Sequence, residues 1–285
     1  MPALNQERRQ RLHQLANCAV FGDPNRFVLG DVLGIGTFAV TFRAYDKKRN
    51  RFCALKVEIA SQDSQLQNER EIYRYLNGRR GVPKCYGRPQ MENDFRYLSI
   101  ELLGKSLRNV LSVCQMEYET LSTYSAILVA MELIEIAKSI HNGKGRNLGC
   151  AHRDIKLDNI LLNESKSKLF LVDFGIAKPL YKDFYGAQTD MCQIATACII
   201  LLVGRCNYEG NRELIDKLHP LFFEFKRAMH ALPDRDSPDY DFWMRKFKSS
   251  FYEEFDAEKN YFKTQAEEKF FAGFRPLTRS LLDEL

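Results

Sequence analysis

The chain has 285 residues, 45% hydrophobic and 28% charged, enough apolar material for one large core or two joined lobes, which excludes a fibrous or wholly disordered protein. Its net charge of +5 is small for that length and spread along the chain, so electrostatics do not require a nucleic-acid partner, and the densest basic cluster, Arg8, Arg9 and Arg11, reads as a helix face. Eight cysteines (Cys18, Cys53, Cys85, Cys114, Cys150, Cys192, Cys198 and Cys206) stand apart without a C-x-x-C pair, several inside apolar runs, as in a reducing compartment. No N-terminal apolar stretch resembles a signal peptide, and the longest apolar run, 194–203, is too short to cross a bilayer. The expectation is a soluble intracellular protein, cytoplasmic or nuclear, with neither membrane nor nucleic acid as a partner.

Residues 1–24 are predicted as a polar helical extension running into a Gly-Asp-Pro turn, and 27–29, 39–45 and 52–58 as strands of a small sheet. Residues 65–76 place Leu66, Glu69, Tyr73 and Leu76 on one helical face, and 95–103 return to a strand that ends at Gly104, a hinge. The first lobe is therefore predicted as 25–103 and the second as 104–285. In the second, 121–141 is a long amphipathic helix, 159–163 and 169–172 are short strands, and 191–203 is a helix apolar on all sides, as a central buried helix is. Helical period continues over 213–231, 240–255 and 264–271, broken by Pro233, Pro238 and Pro276. The fold class that follows is α+β, with a small mainly β first lobe and a mainly helical second.

Gly34-Ile35-Gly36-Thr37-Phe38-Ala39 joins two strands, and glycines there let backbone amides approach a phosphate, although a bare G-x-G is more often an ordinary hairpin turn. Cys53-Ala54-Leu55-Lys56 carries a lysine within an apolar strand, where a half-buried ammonium needs an anionic partner. Glu69 on the following helix is the expected partner; Glu71 is the rival but lies off the Leu66/Glu69/Tyr73 face. The alternative is a strand lysine that simply reaches solvent.

His152-Arg153-Asp154-Ile155-Lys156-Leu157-Asp158-Asn159 is a stronger signal, because several polar chemical types at fixed spacing sit between apolar flanks. An aspartate can orient a hydroxyl and take its proton, a lysine two residues on can neutralise a transferring phosphoryl group, and an asparagine can ligate magnesium. Fourteen residues after Asn159, Asp173 ends an apolar strand and can chelate magnesium across phosphates, with Phe174 and Gly175 following it. The bland reading is a surface aspartate at a strand end followed by a loop glycine.

On these motifs the chain resembles the eukaryotic protein-kinase superfamily over residues 25–205. Within it the chain is similar to the casein kinase 1 and vaccinia-related kinase group. The narrower likeness rests on residues 68–76, Gly81-Val82-Pro83, residues 101–107 and residues 168–178. The resemblance implies a bilobal protein-kinase fold that binds ATP and magnesium. Asp154, Lys156, Lys56 and Glu69 are then catalytic, and Asn159 and Asp173 are metal ligands. Leu33, Gly34, Gly36, Thr41, Ala54, Lys56, Glu101, Leu103 and Leu161 surround the nucleotide. Ile100 is implied as gatekeeper, backbone groups of Glu101 and Leu103 meet the adenine, and Tyr73, Leu98, His152 and Phe174 form a spine. Thr41 stands where such kinases place valine or isoleucine, and Lys156 matches the serine/threonine-directed catalytic loop.

The main departure follows Gly175. Asp190-Met191 resembles the opening of the family's buried helix but comes only seventeen residues after Asp173, which implies a shortened activation segment (173–190) and a missing substrate platform. Tyr181, Tyr185 and Thr189 are candidates for modification there, and Gly143-Lys144-Gly145-Arg146-Asn147 reads as an enlarged turn before the catalytic loop. Two functions are expected. The first is a serine/threonine kinase acting on a protein substrate, acidic or phospho-primed. The alternative is an ATP-binding pseudokinase or scaffold that works through a regulatory protein partner. A small-molecule alcohol kinase is disfavoured, because such catalytic loops lack this pairing of motifs.

Overall fold

Along residues 39–46 every second side chain turns inward: Val40, Phe42 and Ala44 are buried, with Thr41, Arg43 and Tyr45 between them half-exposed. That period-two pattern builds a half-buried antiparallel strand. In the computed structural model it lies third in a six-stranded sheet. The structure describes residues 15, 20–22, 25–36, 38–60, 64–113, 120–143, 149–165, 167–180, 185–204, 219–233 and 236–254. The predicted N-terminal extension with its arginine cluster, the enlarged turn beyond Gly143, Tyr181, the helix at 264–271, and Cys18, Cys114 and Cys206 lie outside the described residues.

The sheet comprises β1 (Val20–Phe21), β2 (Phe27–Ile35), β3 (Ala39–Asp46), β4 (Arg51–Ile59), β5 (Gln90–Glu92) and β6 (Phe95–Ile100). Its order is β1-β2-β3-β4-β6-β5, and every neighbouring pair is antiparallel. Irregular register between Leu29, Val32 and Gly34 twists β2 as it enters the glycine segment. Phe21, Phe27, Val40, Phe42, Cys53, Leu55, Val57 and Tyr97 make one core cluster on this sheet. Helix α1 (Gln65–Tyr75) starts because the Ser64 hydroxyl accepts from the Gln67 amide, and it buries Leu66, Glu69, Ile72 and Tyr73.

Helices α2 (Leu107–Val113), α3 (Thr123–His141), α4 (Tyr185–Val203), α5 (Pro220–Ala231) and α6 (Tyr240–Glu254) dominate the remainder. Between α3 and α4 lie short strands β7 (Cys150–Ala151), β8 (Ile160–Leu162), β9 (Leu169–Leu171) and β10 (Lys178–Pro179), paired β7 with β10 and β8 with β9. Thirteen side chains of α3 are buried, and Ser122 caps it at the Ser125 amide. The predicted aromatic core is present in α5 and α6: Phe225 meets Trp243 at 4.8 Å and Phe247 at 5.5 Å, and Phe222 meets Phe247 at 5.4 Å. Phe242 stays 41% exposed.

Two compact units result. The described residues up to Gly78, with Val82–Leu103 and Asp173–Ile176, form the first; Arg79–Gly81, Gly104–Val172 and the described residues from Ala177 onward form the second. The predicted single crossing at residue 103 thus omits two excursions, of three and of four residues. Other differences from expectation are shorter in reach. The strand from Phe95 stops at Ile100, and β1, β5, β7, β10 and α2 carry too few residues for a periodic signal. Helix α4 begins at Tyr185 rather than 191, placing Asp190 inside it. This also corrects the bilayer argument: over Gly186–Val203 the helix is long and apolar enough to cross a membrane by length and composition, but 61% of that stretch is buried within the fold, as in a core helix.

Candidate active site

In the first unit, Lys56 sits on β4 between the buried Leu55 and Val57, opposite Thr41 of β3 and Leu98 of β6. Its ammonium donates to Glu69 Oε2 at 2.8 Å and to Asp173 Oδ1 at 2.7 Å. The Glu69 side chain is 1% exposed and that of Lys56 14%, so both charges are removed from bulk water and stabilised chiefly by each other. Burial by itself would lower the Lys56 pKa, but Glu69 and Asp173 outweigh it and hold the ammonium above its ordinary value. The Tyr73 hydroxyl donates to the other Glu69 oxygen at 3.2 Å, and burial followed by the neighbouring Glu69 pushes the phenol well up, keeping it a neutral donor. Glu71, the rival carboxylate, is instead taken up by Arg70 at 2.5 Å and Arg74 at 2.8 Å on the exposed face of α1.

Asp173 adopts φ +67°, a left-handed conformation that only glycine takes freely. It opens a 3-10 turn, Phe174–Ile176. Phe174 packs edge-on against Tyr73 at 5.3 Å, and the Asn68 amide donates to the Gly175 carbonyl at 2.8 Å, fixing the turn against α1. Gly34 and Leu33 lie on β2, where Leu33 is 47% exposed. A Cβ built at Gly34 meets nothing within 4 Å, so local packing does not demand glycine there. Gly36 donates to the Ala39 carbonyl at 2.8 Å to turn the chain. Ala54 pairs with Ile100 across β4 and β6, both buried. The Glu101 amide donates to the Lys84 carbonyl at 2.8 Å, and the Leu103 amide makes no hydrogen bond among the described residues.

The second unit holds the His152–Asn159 loop. Asp154 Oδ2 accepts from Lys156 Nζ at 2.7 Å and from Asn159 Nδ2 at 3.0 Å, and the same Asn159 nitrogen reaches the Asp154 carbonyl at 2.9 Å. With its nitrogen spent on Asp154, Asn159 keeps its Oδ1, a hard oxygen donor, without a hydrogen bond among the described residues. Leu161 lies on β8 opposite Phe170, and Val172, the residue before Asp173, donates to the Asn159 carbonyl at 3.0 Å. His152 is fully buried, its Nε2 3.0 Å from the Val172 carbonyl.

Among the described residues, five non-glycine residues have positive φ. Four, Asn25, Asn50, Asn93 and Asp173, are of types that tolerate the left-handed region; the fifth, Arg153, is not. Backbone strain among these five is thus greatest at Arg153, next to Asp154. What over-determines Arg153 is α4: Asp190, fully buried, accepts from the His152 amide at 2.6 Å and the Arg153 amide at 2.7 Å. His141 of α3 joins Asp190 at 2.8 Å through Nε2 and the Tyr240 hydroxyl at 2.7 Å through Nδ1.

A lysine clamped by two carboxylates, one of them Asp173 at positive φ, is the deciding arrangement in the first unit, and the second unit carries its own set, Asp154, Lys156 and Asn159. A family model described as protein kinase domain matches residues 27–205, well over half of the chain. The chain belongs to the protein kinase domain family. This is a phosphotransfer fold whose members generally use ATP and Mg2+ and act on protein substrates. The reading from sequence did not single out Asp190 as a loop anchor, nor His141 or Gln193 within this kinase domain, nor Tyr240 beyond the matched residues. The available signal was Asp190, the one charged residue of a mainly apolar helix, with Gln193 three positions on.

Proposed function

We propose that the protein is a serine/threonine kinase similar to the casein kinase 1 group, which transfers the γ-phosphoryl of ATP to hydroxyls of acidic or phospho-primed proteins. The observation that carries this reading is the paired Lys56 ammonium, held charged between Glu69 and Asp173. Lys56 meets the α- and β-phosphates, with Glu69 fixing its position. Gly34 and Gly36 admit the phosphates past β2, a role supported by the open space above Gly34. Ile100 acts as gatekeeper, backbone groups of Glu101 and Leu103 receive the adenine, and Leu33, Thr41, Ala54 and Leu161 enclose it.

Asn159 and Asp173 fit magnesium as hard oxygen donors. Among the described residues no group of three His, Cys, Asp or Glu makes a protein-only cage, which suits an ion that shares phosphate oxygens. When bound there, magnesium would neutralise charge building on the β- and γ-phosphates. Asp154 orients the acceptor hydroxyl and takes its proton as the new oxygen–phosphorus bond forms and the bond from the γ-phosphorus to the β,γ-bridging oxygen breaks, releasing ADP. Lys156 neutralises the transferring group. An intracellular location, cytoplasmic or nuclear, is supported by the free thiols at Cys53, Cys85, Cys150, Cys192 and Cys198.

Magnesium-dependent transfer of phosphate from ATP to the protein itself or to casein-like acceptors tests the proposal. Asp154→Asn should lower the rate at least about a thousandfold. A wild type that binds nucleotide yet labels no acceptor would reject it. The seventeen residues from Asp173 to Asp190 favour a second reading, a scaffold with a shortened activation segment and a regulatory protein partner. On that reading Asp154→Asn leaves the biological effect intact.

A further inference from the structure

Gln193 stands one turn beyond Asp190 on α4, and its carboxamide makes two hydrogen bonds to the catalytic loop. Oε1 accepts from the Ile155 amide at 2.8 Å, and Nε2 donates to the Arg153 carbonyl at 3.1 Å. Those two groups lie on either side of Asp154: one belongs to the peptide plane before it, the other to the plane after it. A planar group with one donor edge and one acceptor edge engages both planes at once, as a neighbouring strand would. We propose that Gln193 is a positioning residue that sets φ and ψ of Asp154, and through them the direction of its carboxylate. The inference rests on the reading of Asp154 as the group that orients the acceptor hydroxyl.

Other features of the loop show why such a clamp is needed. Asp190 holds the amides of His152 and Arg153 but reaches no further along the chain. Arg153 sits at φ +70°, a conformation that relaxes unless both its peptide groups are held. Asp190 holds the amide of Arg153, and Gln193 holds its carbonyl. Asn159 restrains Asp154 from the opposite side through its carbonyl and carboxylate. Loss of the carboxamide unties both peptide planes that flank Asp154 from α4, leaving Asp154 to its contacts with His152, Lys156 and Asn159 within the loop, and small displacements of a reacting group are costly to rate.

Two variants separate the roles. Gln193→Met keeps length and apolar packing but removes both bonds. Gln193→Glu, ionised at neutral pH, keeps the bond from Ile155 and loses the donor to Arg153. Amide hydrogen exchange needs no turnover: the Ile155 amide should exchange at least about tenfold faster in Gln193→Met, while His152 and Arg153, held by Asp190, change by less than about threefold. In phosphate transfer, kcat should fall about ten- to a hundredfold in Gln193→Met and less in Gln193→Glu, with the KM for ATP within about threefold of wild type. Unchanged exchange at Ile155, or a kcat within about twofold of wild type in a folded Gln193→Met protein, overturns the proposal. A wild type without transfer activity overturns the kinase reading instead, and leaves the exchange measurement to decide the clamp.

Discussion

Lys56 shows how one residue can be read from sequence and then weighed in structure. A lysine among Ala54, Leu55 and Val57 announces itself because an ammonium in an apolar strand must find a carboxylate. Asp154, Asn159 and Asp173 were legible for the same reason, as polar types at fixed spacing between apolar runs. Asp190, Gln193 and His141 were not, because Asp190 and Gln193 bond backbone groups 37 to 40 positions away, His141 meets the Asp190 carboxylate 49 positions away, and none shows a local pattern. Lys56→Met should cost about 3 kcal/mol at neutral pH, since it strands Glu69 with 1% exposure beside Asp173. In that variant Glu69 ionises above its unfolded value, so the deficit grows as pH rises above about 4.5 and shrinks in acid, which urea titrations at several pH values will read. In the wild type Lys56 is raised above 10.5, so its contribution is complete below that pH and is lost only as pH climbs through the higher folded value.

Between elements, a buried polar joint in the second unit runs from Tyr240 to His141 to Asp190, linking the start of α6 with α3 and α4. Tyr240→Phe leaves a buried imidazole nitrogen unpaired and should cost about 1–2 kcal/mol by chemical denaturation. The nearby Lys138–Asp241 pair joins the same two helices, α3 and α6, at the surface, and its removal should cost under about 0.5 kcal/mol. Gly81 is a steric counterpart. It has φ +70°, and a Cβ there falls 2.5 Å from the Ile136 side chain of α3. Gly81→Ala should therefore destabilise by about 2–4 kcal/mol in the same assay. Long elements such as α1 and α3 were legible within two residues at each end. Two-residue strands such as β7 and β10 were not, because two positions carry no period.

For the whole molecule, composition and period sufficed for an α+β chain with a β-rich first part and a helical second. The return of Asp173–Ile176 to the first unit was invisible, since it depends on Lys56, Tyr73 and Asn68 meeting a turn more than ninety residues away. The apolar run after Asp190 was read as shorter than the helix that contains it, because Gln188 and Asp190 interrupt hydropathy without interrupting the helix. Cysteine usage also has a molecular consequence. Burial pushes Cys53 and Cys150 up to about 12 and raises Cys198 further, whereas Cys85 and Cys192 are only half-buried. Mapped alkylation at pH 8 should label Cys85 and Cys192 well ahead of the other three.

The proposed function depends on a magnesium nucleotide that Lys56, Asn159 and Asp173 would hold. Calorimetric titration of ATP with and without magnesium tests it most directly. The account predicts binding that strengthens at least about tenfold with magnesium, loses that gain in Asp173→Asn, and weakens in Lys56→Met. ATP affinity indifferent to magnesium, or unchanged in Asp173→Asn, would contradict it.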